Sequence, residues 1–276
     1  MKNCPLRTMR YTANIMNQFV YSKEERKLAL RSVQTYLSLF RQLATSGAAD
    51  STVTTAILVG LRRAFPYAGS DMQFLYTHLD ALFVLANTGN FQQRIATLSL
   101  LHLIVSNKAT PDTMLHRWYR ALYQLLLLSP KQIPQTTQLT NFFAMLHKAM
   151  RSDHSDERVM AFVHRLLQRS LYYNPAMICA ILLLVGEIVS TRPRVRTLIR
   201  PLESISPPTS LDTHQQANTE IHLHGHGSVR EEQYDTKARE PQFAHASREC
   251  LWTLNTLSHH YHPSVVKLAV LLLFGE

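Results

Sequence analysis

The sequence is poor in glycine and cysteine. Only 8 of its 276 residues are glycine, and the alternation of apolar and polar residues that is typical of strands is scarce. Its 3 cysteines, Cys4, Cys179 and Cys250, lie far apart and lack the spacing of a metal-binding or redox pair. These absences argue against a β-rich fold and a disulfide framework, and they indicate a reducing compartment.

Membrane segments and catalytic motifs are also lacking. The longest apolar run, 177–186, is too short to span a bilayer, and the start MKNCPLRTMR has no apolar core of a signal peptide. The sequence contains no nucleophile elbow, no P-loop and no dinucleotide-binding glycine pattern. We therefore expect a protein that is not an enzyme, with no cofactor, no membrane partner and no small-molecule substrate.

Acidic residues are few and unevenly distributed. The chain has 29 Lys+Arg against 19 Asp+Glu, a formal net charge of +10. Residues 1–200 hold 24 basic and 10 acidic residues, a net charge of +14, whereas residues 201–276 hold 5 and 9, a net charge of −4. Arginine, which contacts phosphate in a bidentate manner, supplies 18 of the 24. This favours a polyanionic partner such as nucleic acid, with a merely solvated helical surface as the alternative.

Helix signals recur along the first 200 residues. A capping box at 22–25 precedes a long amphipathic segment that stops at Gly47, and Asp50 or Ser51 can cap the next helix, which Pro66 should end near Phe65. Further helix starts are predicted near residues 70, 90, 110, 135, 155 and 174. The step of about 20 residues gives helix pairs of about 40, the period of HEAT or armadillo arrays. We predict an all-α fold, a HEAT/armadillo-like helical-repeat solenoid, with a bundle as the alternative.

Residues 201–276 divide into two further segments. Residues 201–240 are rich in Pro, Ser, Thr, Gln and His and are predicted to form a disordered polar linker. Residues 241–276 are predicted to form a C-terminal helix pair, 246–257 and 264–274, that packs on the repeat body of residues 1–200. The last helix is apolar almost all round, so we expect burial on several sides and a truncated chain.

Histidines cluster at two places, and neither place favours a metal site. His214 and the alternating histidines of 222–226 lie in the predicted linker, which cannot supply the fixed geometry of a functional metal site. The histidines of 259–262 have no carboxylate or cysteine cluster beside them, so a cap and packing role is favoured. A His-dependent metalloprotein is the remote alternative.

Arginine clusters provide the candidate RNA-binding residues. The densest is the run 192–196 with Arg200, and phosphate binding requires such clusters on one face. Trp118, Tyr119 and Tyr123 lie beside one cluster at helical spacing, which is more typical of a core than of a base-stacking platform. The candidates are Arg62, Arg63, Arg117, Arg120, Arg192, Arg194, Arg196 and Arg200.

Five blocks of sequence, in order, resemble one known family. They are RAFPYA (63–68), HLDALFVLANTGNFQQRIATLSLLH (78–102), WYRALYQLLL (118–127), RVMAFVHRLLQ (158–168) and REPQFAHASRECLWTLNTLSHHYHPSVVKLA (239–269). Over roughly residues 20–275 the chain resembles the CCAAT-binding-factor (CBF) domain family of nucleolar ribosome-biogenesis proteins, and within it the nucleolar complex protein one group. The last block is the most specific.

The resemblance implies a nucleolar, and hence nuclear, scaffold in assembly of the large (60S) ribosomal subunit. It implies binding to a nucleolar complex protein two-like partner, to pre-60S assembly factors and to pre-rRNA. Family proteins are usually much longer, so a partial gene product is expected. The alternative is a helical-repeat adaptor in transport or transcription regulation that binds protein without RNA.

No catalytic residue comes with the family, and its motif residues imply structural roles. Phe65 and Pro66 resemble an inter-helix corner, and Trp252, Tyr261 and Pro263 resemble core and cap residues. The full set of motif residues is Phe65, Pro66, Trp252, His259, His260, Tyr261, His262 and Pro263.

Overall fold

The computed structural model describes residues 5–46, 51–68, 78–106, 112–133, 138–199 and 234–275. These residues form twelve α-helices and three short 3₁₀ helices, and no strand occurs among them. The predicted all-α class is therefore confirmed. The helices belong to two compact units, Met1–Lys148 and Ala149–Glu276. Among the described residues, none of the helices combines the length and the hydrophobicity of a membrane-spanning segment.

The helices of the first unit are α1 (Leu6–Met16), α2 (Arg26–Ser46), α3 (Ser51–Ala68), α4 (Leu79–Thr88), α5 (Phe91–Val105), α6 (Asp112–Leu125), the 3₁₀ helix Pro130–Gln132 and most of α7 (Gln138–Ser152). Those of the second unit are α8 (Asp156–Ser170), α9 (Pro175–Thr191), α10 (Pro193–Arg196), the 3₁₀ helices Pro241–Phe243 and Ala246–Arg248, α11 (Trp252–Ser258) and α12 (Pro263–Phe274).

Side-chain caps fix the starts of three helices where the sequence predicts them. The Asn90 Oδ1 accepts the N–H of Gln93 at 2.9 Å, and the Gln93 Oε1 accepts the N–H of Asn90 at 3.0 Å. Ser155 caps α8, and the Asn174 Oδ1 accepts the N–H of Met177 at 3.0 Å to cap α9. Each cap satisfies an amide that the first helical turn leaves without a partner.

Packing in the first unit follows the pattern of stacked helix pairs. α3 packs against α2 and α5, α5 packs against α4 and α6, and α4 also contacts α6. Each of these contacts joins a helix to its chain neighbour or to the helix two places along, which buries faces that one pair alone cannot cover. This is the neighbour-to-neighbour packing of helical-repeat proteins, as the regular step of the helix starts predicts.

The aromatic residues of α6 form part of the core of the first unit. Trp118 and Tyr123 are fully buried, and Tyr119 is nearly so. The Trp118 Nε1 donates to the carbonyl oxygen of Leu98 at 2.9 Å, which ties α6 to α5. The preference for a core role over a base-stacking role is confirmed for these three residues.

In the second unit, α8 is covered by a segment far along the chain. The Arg165 guanidinium donates to the carbonyl oxygens of Thr236 and Ala238 at 2.9 and 3.0 Å, and the Tyr234 ring lies 4.7 Å from the ring of His164. The predicted linker of 201–240 lies mainly outside the described residues. Its last part, 234–240, is described and contacts α8, while the predicted boundaries between body, linker and helix pair stay a prediction.

Several predicted helix boundaries are wrong. The capping box at 22–25 closes a turn, and α2 begins only at Arg26. Pro66 lies inside α3, which continues to Ala68, so Phe65 and Pro66 do not mark a corner. The predicted helix 246–257 is interrupted because the N–H of Leu251 donates to the carbonyl oxygen of Leu198 at 3.1 Å. The helix starts predicted at 70–71 and 110–111 lie outside the described residues.

The last helix is less buried than its composition predicts. α12 begins at Pro263, close to the predicted start, and packs against α9 and α11. Val265 and Ala269 are buried, but Leu271 is 44% exposed and Phe274 is 75% exposed. Burial on several sides is therefore wrong for α12 within its own unit.

Candidate nucleic-acid interface

Three of the predicted RNA-binding arginines, Arg63, Arg117 and Arg192, bond other parts of the folded chain. The Arg63 guanidinium donates to the carbonyl oxygens of Asn17 and of Phe19, the latter at 3.4 Å. These residues follow the last turn of α1, where carbonyl groups have no partner within the helix. The side chain therefore fastens the end of α1 to α3.

Arg117 and Arg192 also make intramolecular ion pairs. The Arg117 Nη1 lies 2.7 Å from the Asp80 Oδ1, and its guanidinium lies 4.1 Å from the centroid of the Phe83 ring. The Arg192 Nη1 lies 2.7 Å from the Asp156 Oδ1, and the same guanidinium donates to two carbonyl oxygens at the end of α7. Charge-assisted bonds of this kind stabilise the folded chain and compete with any phosphate.

The remaining candidates differ in exposure. Arg62, Arg194 and Arg196 are exposed, and the Arg194 side chain keeps 80% of its surface accessible although its Nε lies 3.7 Å from the Asp156 carboxylate. Arg120 is half-buried on α6, and Arg200 lies outside the described residues. The structure thus brings Arg192, Arg194 and Arg196 together at α10, where two of the three are accessible.

Arg62 lies at a cleft between α3, α5 and α7 that is not predicted from the sequence. The cleft has a volume of about 390 Å³. α5 contributes Ser99, His102 and Leu103, which share one face of that helix because they are three and four residues apart. Intervals of three and four residues along α5 and along α7 are visible in the sequence, but they do not show that these two helices meet.

α7 forms the opposite side of this cleft. Asn141, Ala144, Met145 and Lys148 recur at intervals of three and four residues, so they form one stripe along the helix. The Ser99 Oγ donates to the Met145 Sδ at 3.7 Å, which joins the two walls. The stripe places a cationic side chain, an amide and an apolar thioether in one cleft.

His102 is a neutral part of the cleft wall. Burial, aided by the charge of Lys148, lowers the pKa of His102 to about 4, and its ring stacks on that of Trp118 at 4.8 Å between centroids. Both ring nitrogens are buried and make no hydrogen bond to the described residues. The positive charge of the cleft therefore comes from Arg62 and Lys148 at neutral pH.

The family-motif residues near the end of the chain are mostly exposed. Trp252 is 42% exposed and its Nε1 donates to the Glu249 Oε1 at 2.7 Å, while Tyr261 is 81% exposed. The expectation that these two are core residues is wrong. Pro263 occupies the first position of α12, where its missing N–H costs no hydrogen bond.

The histidines beside them make local contacts. The His260 Nδ1 accepts the N–H of His262 at 3.1 Å, and the His259 Nδ1 lies 2.9 Å from the carbonyl oxygen of Asn255. Among the residues that the structure describes, no group of three or more His, Cys, Asp or Glu side chains could hold a metal ion. His214 and the histidines of 222–226 lie outside those residues.

Comparison with known proteins connects most of the chain to one group. The model of the CBF/Mak21 family matches residues 94–269, more than half of the chain. The chain is 28% identical to ribosome biogenesis protein NOC1 of Chaetomium thermophilum, over 94% of this chain and 28% of that protein. It is 27% identical to CCAAT/enhancer-binding protein zeta of Mus musculus, over 96% of this chain and 28% of that protein.

A third relative, less similar to this chain, is named for a nucleolar complex. Nucleolar complex protein 4 of Saccharomyces cerevisiae is 25% identical over 55% of this chain and 26% of that protein. The chain thus spans less than a third of the length of each of these three relatives.

Proposed function

Because the chain belongs to the CBF/Mak21 family, we propose that it acts in ribosome biogenesis as a non-enzymatic scaffold for precursors of the large (60S) subunit. The observation that carries this proposal is the similarity to ribosome biogenesis protein NOC1, which extends over 94% of the chain. An array of packed helices provides a long surface for partners and needs no catalytic group to hold them.

The location of the chain follows from its relatives. Proteins named nucleolar complex protein 1 and nucleolar complex protein 4 are similar to it, which indicates the nucleolus and hence the nucleus, as predicted. For partners, we propose a nucleolar complex protein two-like protein, together with pre-60S assembly factors. The word "complex" in the names of these relatives supports the proposal of a protein partner.

Pre-rRNA is the proposed nucleic-acid partner. Residues 1–200 hold 24 basic and 10 acidic residues, so their net charge of +14 attracts a polyanion. Arg194 and Arg196 present guanidinium groups on the single turn of α10, where both are exposed. We propose these two, rather than Arg192, as phosphate contacts in the second unit. Arg192 pairs with Asp156 at 2.7 Å, whereas Arg194 lies 3.7 Å from the same carboxylate and keeps 80% of its side chain exposed.

The test is crosslinking of the tagged full chain to RNA in cells, followed by sequencing of the bound RNA. We expect enrichment of pre-rRNA over messenger RNA, and a loss of that enrichment when Arg194→Gln and Arg196→Gln are combined. A chain with Lys27→Gln and Arg31→Gln, which removes two exposed charges from α2, is the matched control.

A protein-only adaptor is the second candidate. It is supported by the intramolecular ion pairs of Arg117 and Arg192, which leave fewer arginines for phosphate than the sequence predicts. Recovery of background RNA alone, with an intact set of co-purified proteins, would favour the adaptor and reject RNA binding.

A further inference from the structure

The cleft between α3, α5 and α7 combines positive charge with an apolar floor. Arg62 reaches it from α3 and Lys148 from α7, and no acidic side chain occurs among the described residues that line it. Arg62 and Lys148 are both exposed at the cleft, and two positive side chains so placed attract an anion.

The other lining groups suit a flat, partly polar ring. Leu103 and Met145 provide apolar surface, whereas Ser99 and Asn141 provide a hydroxyl and an amide that can bond the edge of a base. The volume of about 390 Å³ falls within the range of sites for small ligands. The cleft is thus large enough for one nucleotide and too small for a helix.

The groove continues beyond this cleft. A second, smaller cavity of about 60 Å³ shares Arg62, Ser99 and Asn141 with it and extends the groove along α3 and α5. The groove therefore extends past Arg62 as a narrower recess.

We propose that the α3–α5–α7 cleft binds an unpaired nucleotide of single-stranded RNA, with the phosphate at Arg62 and Lys148 and the base against Leu103 and Met145. This inference rests on the proposed role with pre-rRNA and assigns that role a site in the first unit. Arg62 can grip the phosphate with two N–H groups, and Lys148 adds a point charge. Contact of the base with apolar side chains is tolerant of sequence, so the site selects unpaired RNA rather than a particular base.

The test measures binding of fluorescein-labelled oligouridylate to the purified full chain by fluorescence anisotropy. Arg62→Gln and Lys148→Gln should each weaken binding about tenfold, because each removes a charge-assisted hydrogen bond to phosphate. Arg31→Gln, which removes one exposed charge from α2, is the control and should change binding less than about threefold.

Substitution of Ala144 tests the cleft by adding a side chain, and it leaves Arg62 and Lys148 in place. Ala144 is exposed on α7 and lines the cleft, so Ala144→Glu places a carboxylate there and Ala144→Gln places a neutral group of the same size. The Glu variant should weaken binding about tenfold and the Gln variant less than about threefold. Circular dichroism of both variants verifies that the helices remain formed.

Three results would overturn the assignment. One is unchanged binding in Ala144→Glu, Arg62→Gln and Lys148→Gln. A second is equal loss in Ala144→Glu and Ala144→Gln, which would show that charge in the cleft does not govern RNA binding. The third is displacement of RNA by polyglutamate as effectively as by unlabelled oligouridylate, which would indicate an acidic protein segment as the ligand.

The same assay separates this inference from the proposed function. If the unaltered chain binds no RNA and recovers no pre-rRNA in cells, the proposed RNA-binding function fails together with the cleft. If the cleft variants bind normally while Arg194→Gln with Arg196→Gln abolishes binding, the function stands and the cleft assignment is wrong.

Discussion

At Gly60, α3 leaves no room for a larger side chain. A Cβ at this position would overlap the Tyr36 ring and the Asn17 side chain, and the Tyr36 hydroxyl donates to the Asn17 Oδ1 at 2.7 Å. Asn17 in turn donates from its Nδ2 to the carbonyl oxygen of Ala56 at 3.0 Å. Neither neighbour can yield without breaking a hydrogen bond, so this position requires glycine.

We predict that Gly60→Ala destabilises the chain by about 1–3 kcal/mol, the usual cost of forcing extra volume into a packed core. Gly186→Ala is the matched control, since a Cβ there meets only the Leu272 Cδ2 at 3.3 Å and alanine favours the helix. Urea unfolding of both variants provides the measurement. Equal stability of the two variants would show that α3 does not pack as tightly as described.

His164 couples stability to pH. The residue is 1% exposed, and its Nε2 lies 3.1 Å from the carbonyl oxygen of Glu249. Burial lowers its pKa from 6.5 to about 4, against a smaller opposing effect of backbone hydrogen bonds. The folded state therefore prefers neutral His164, and its contribution is complete above pH 6.5 and lost as pH falls toward 4.

We predict that the free energy of unfolding falls by about 2 kcal/mol between pH 7 and pH 5 on account of His164 alone. His164→Gln should reduce this dependence, because glutamine can donate to the Glu249 carbonyl without titrating. In that variant the free energy of unfolding should still fall in part with falling pH, because the pKa of His102 is also lowered to about 4. An unaltered pH profile in His164→Gln would contradict the assignment.

At the scale of the helix, a buried ion pair joins the turn before α8 to the first turn of α8. The Asp153 carboxylate lies 2.6 Å from both the Nε and the Nη2 of Arg158, and the two side chains are 1% and 6% exposed. Asp153 also accepts the N–H of Ser155 at 2.9 Å, so it organises the turn before the helix.

We predict that Asp153→Asn destabilises the chain by about 3–5 kcal/mol, because it leaves the Arg158 charge buried without its partner. The double variant Asp153→Asn with Arg158→Met should lose less than the sum of the single changes. Urea unfolding of the four chains in this cycle gives the coupling energy. Additive losses would show that the pair contributes nothing.

The helix caps were predictable from sequence because they are local. Asn90, Ser155 and Asn174 cap the predicted helices with bonds that reach only three residues ahead. Pro66 shows the limit of such rules, since α3 continues through it for two residues. One proline near a helix end removes a single backbone bond, which the packing of α3 on α2 and α5 outweighs.

Contacts between distant segments were not predictable. The backbone N–H of Leu251 bonds the carbonyl oxygen of Leu198 instead of continuing a helix. Arg63 bonds the end of α1, although its own helix, α3, begins 35 residues after α1 ends. The cleft at Arg62 requires three helices to meet, and its residues are separated by up to 86 positions in sequence. Spacing along one helix cannot show which faces will come together.

At the scale of the whole molecule, charge should decide how strongly RNA binding responds to salt. With Arg194→Gln and Arg196→Gln combined, the slope of log affinity against log salt should become shallower by about 1.4 for single-stranded RNA. The same measurement with Lys27→Gln and Arg31→Gln should leave the slope closer to that of the unaltered chain. If Arg194→Gln with Arg196→Gln leaves the slope unchanged, α10 does not contact RNA.

The contacts that cover α8 also determine how late this helix is buried during protein synthesis. His164 and Arg165 bond carbonyls that lie 71 to 85 residues later in the chain. At a synthesis rate of about 5–20 residues per second, the ribosome adds those residues roughly 4–17 s after α8 is made. Once α8 has left the ribosome, the groups that these contacts bury stay exposed until the later segment also emerges, so this is when chaperones can reach them.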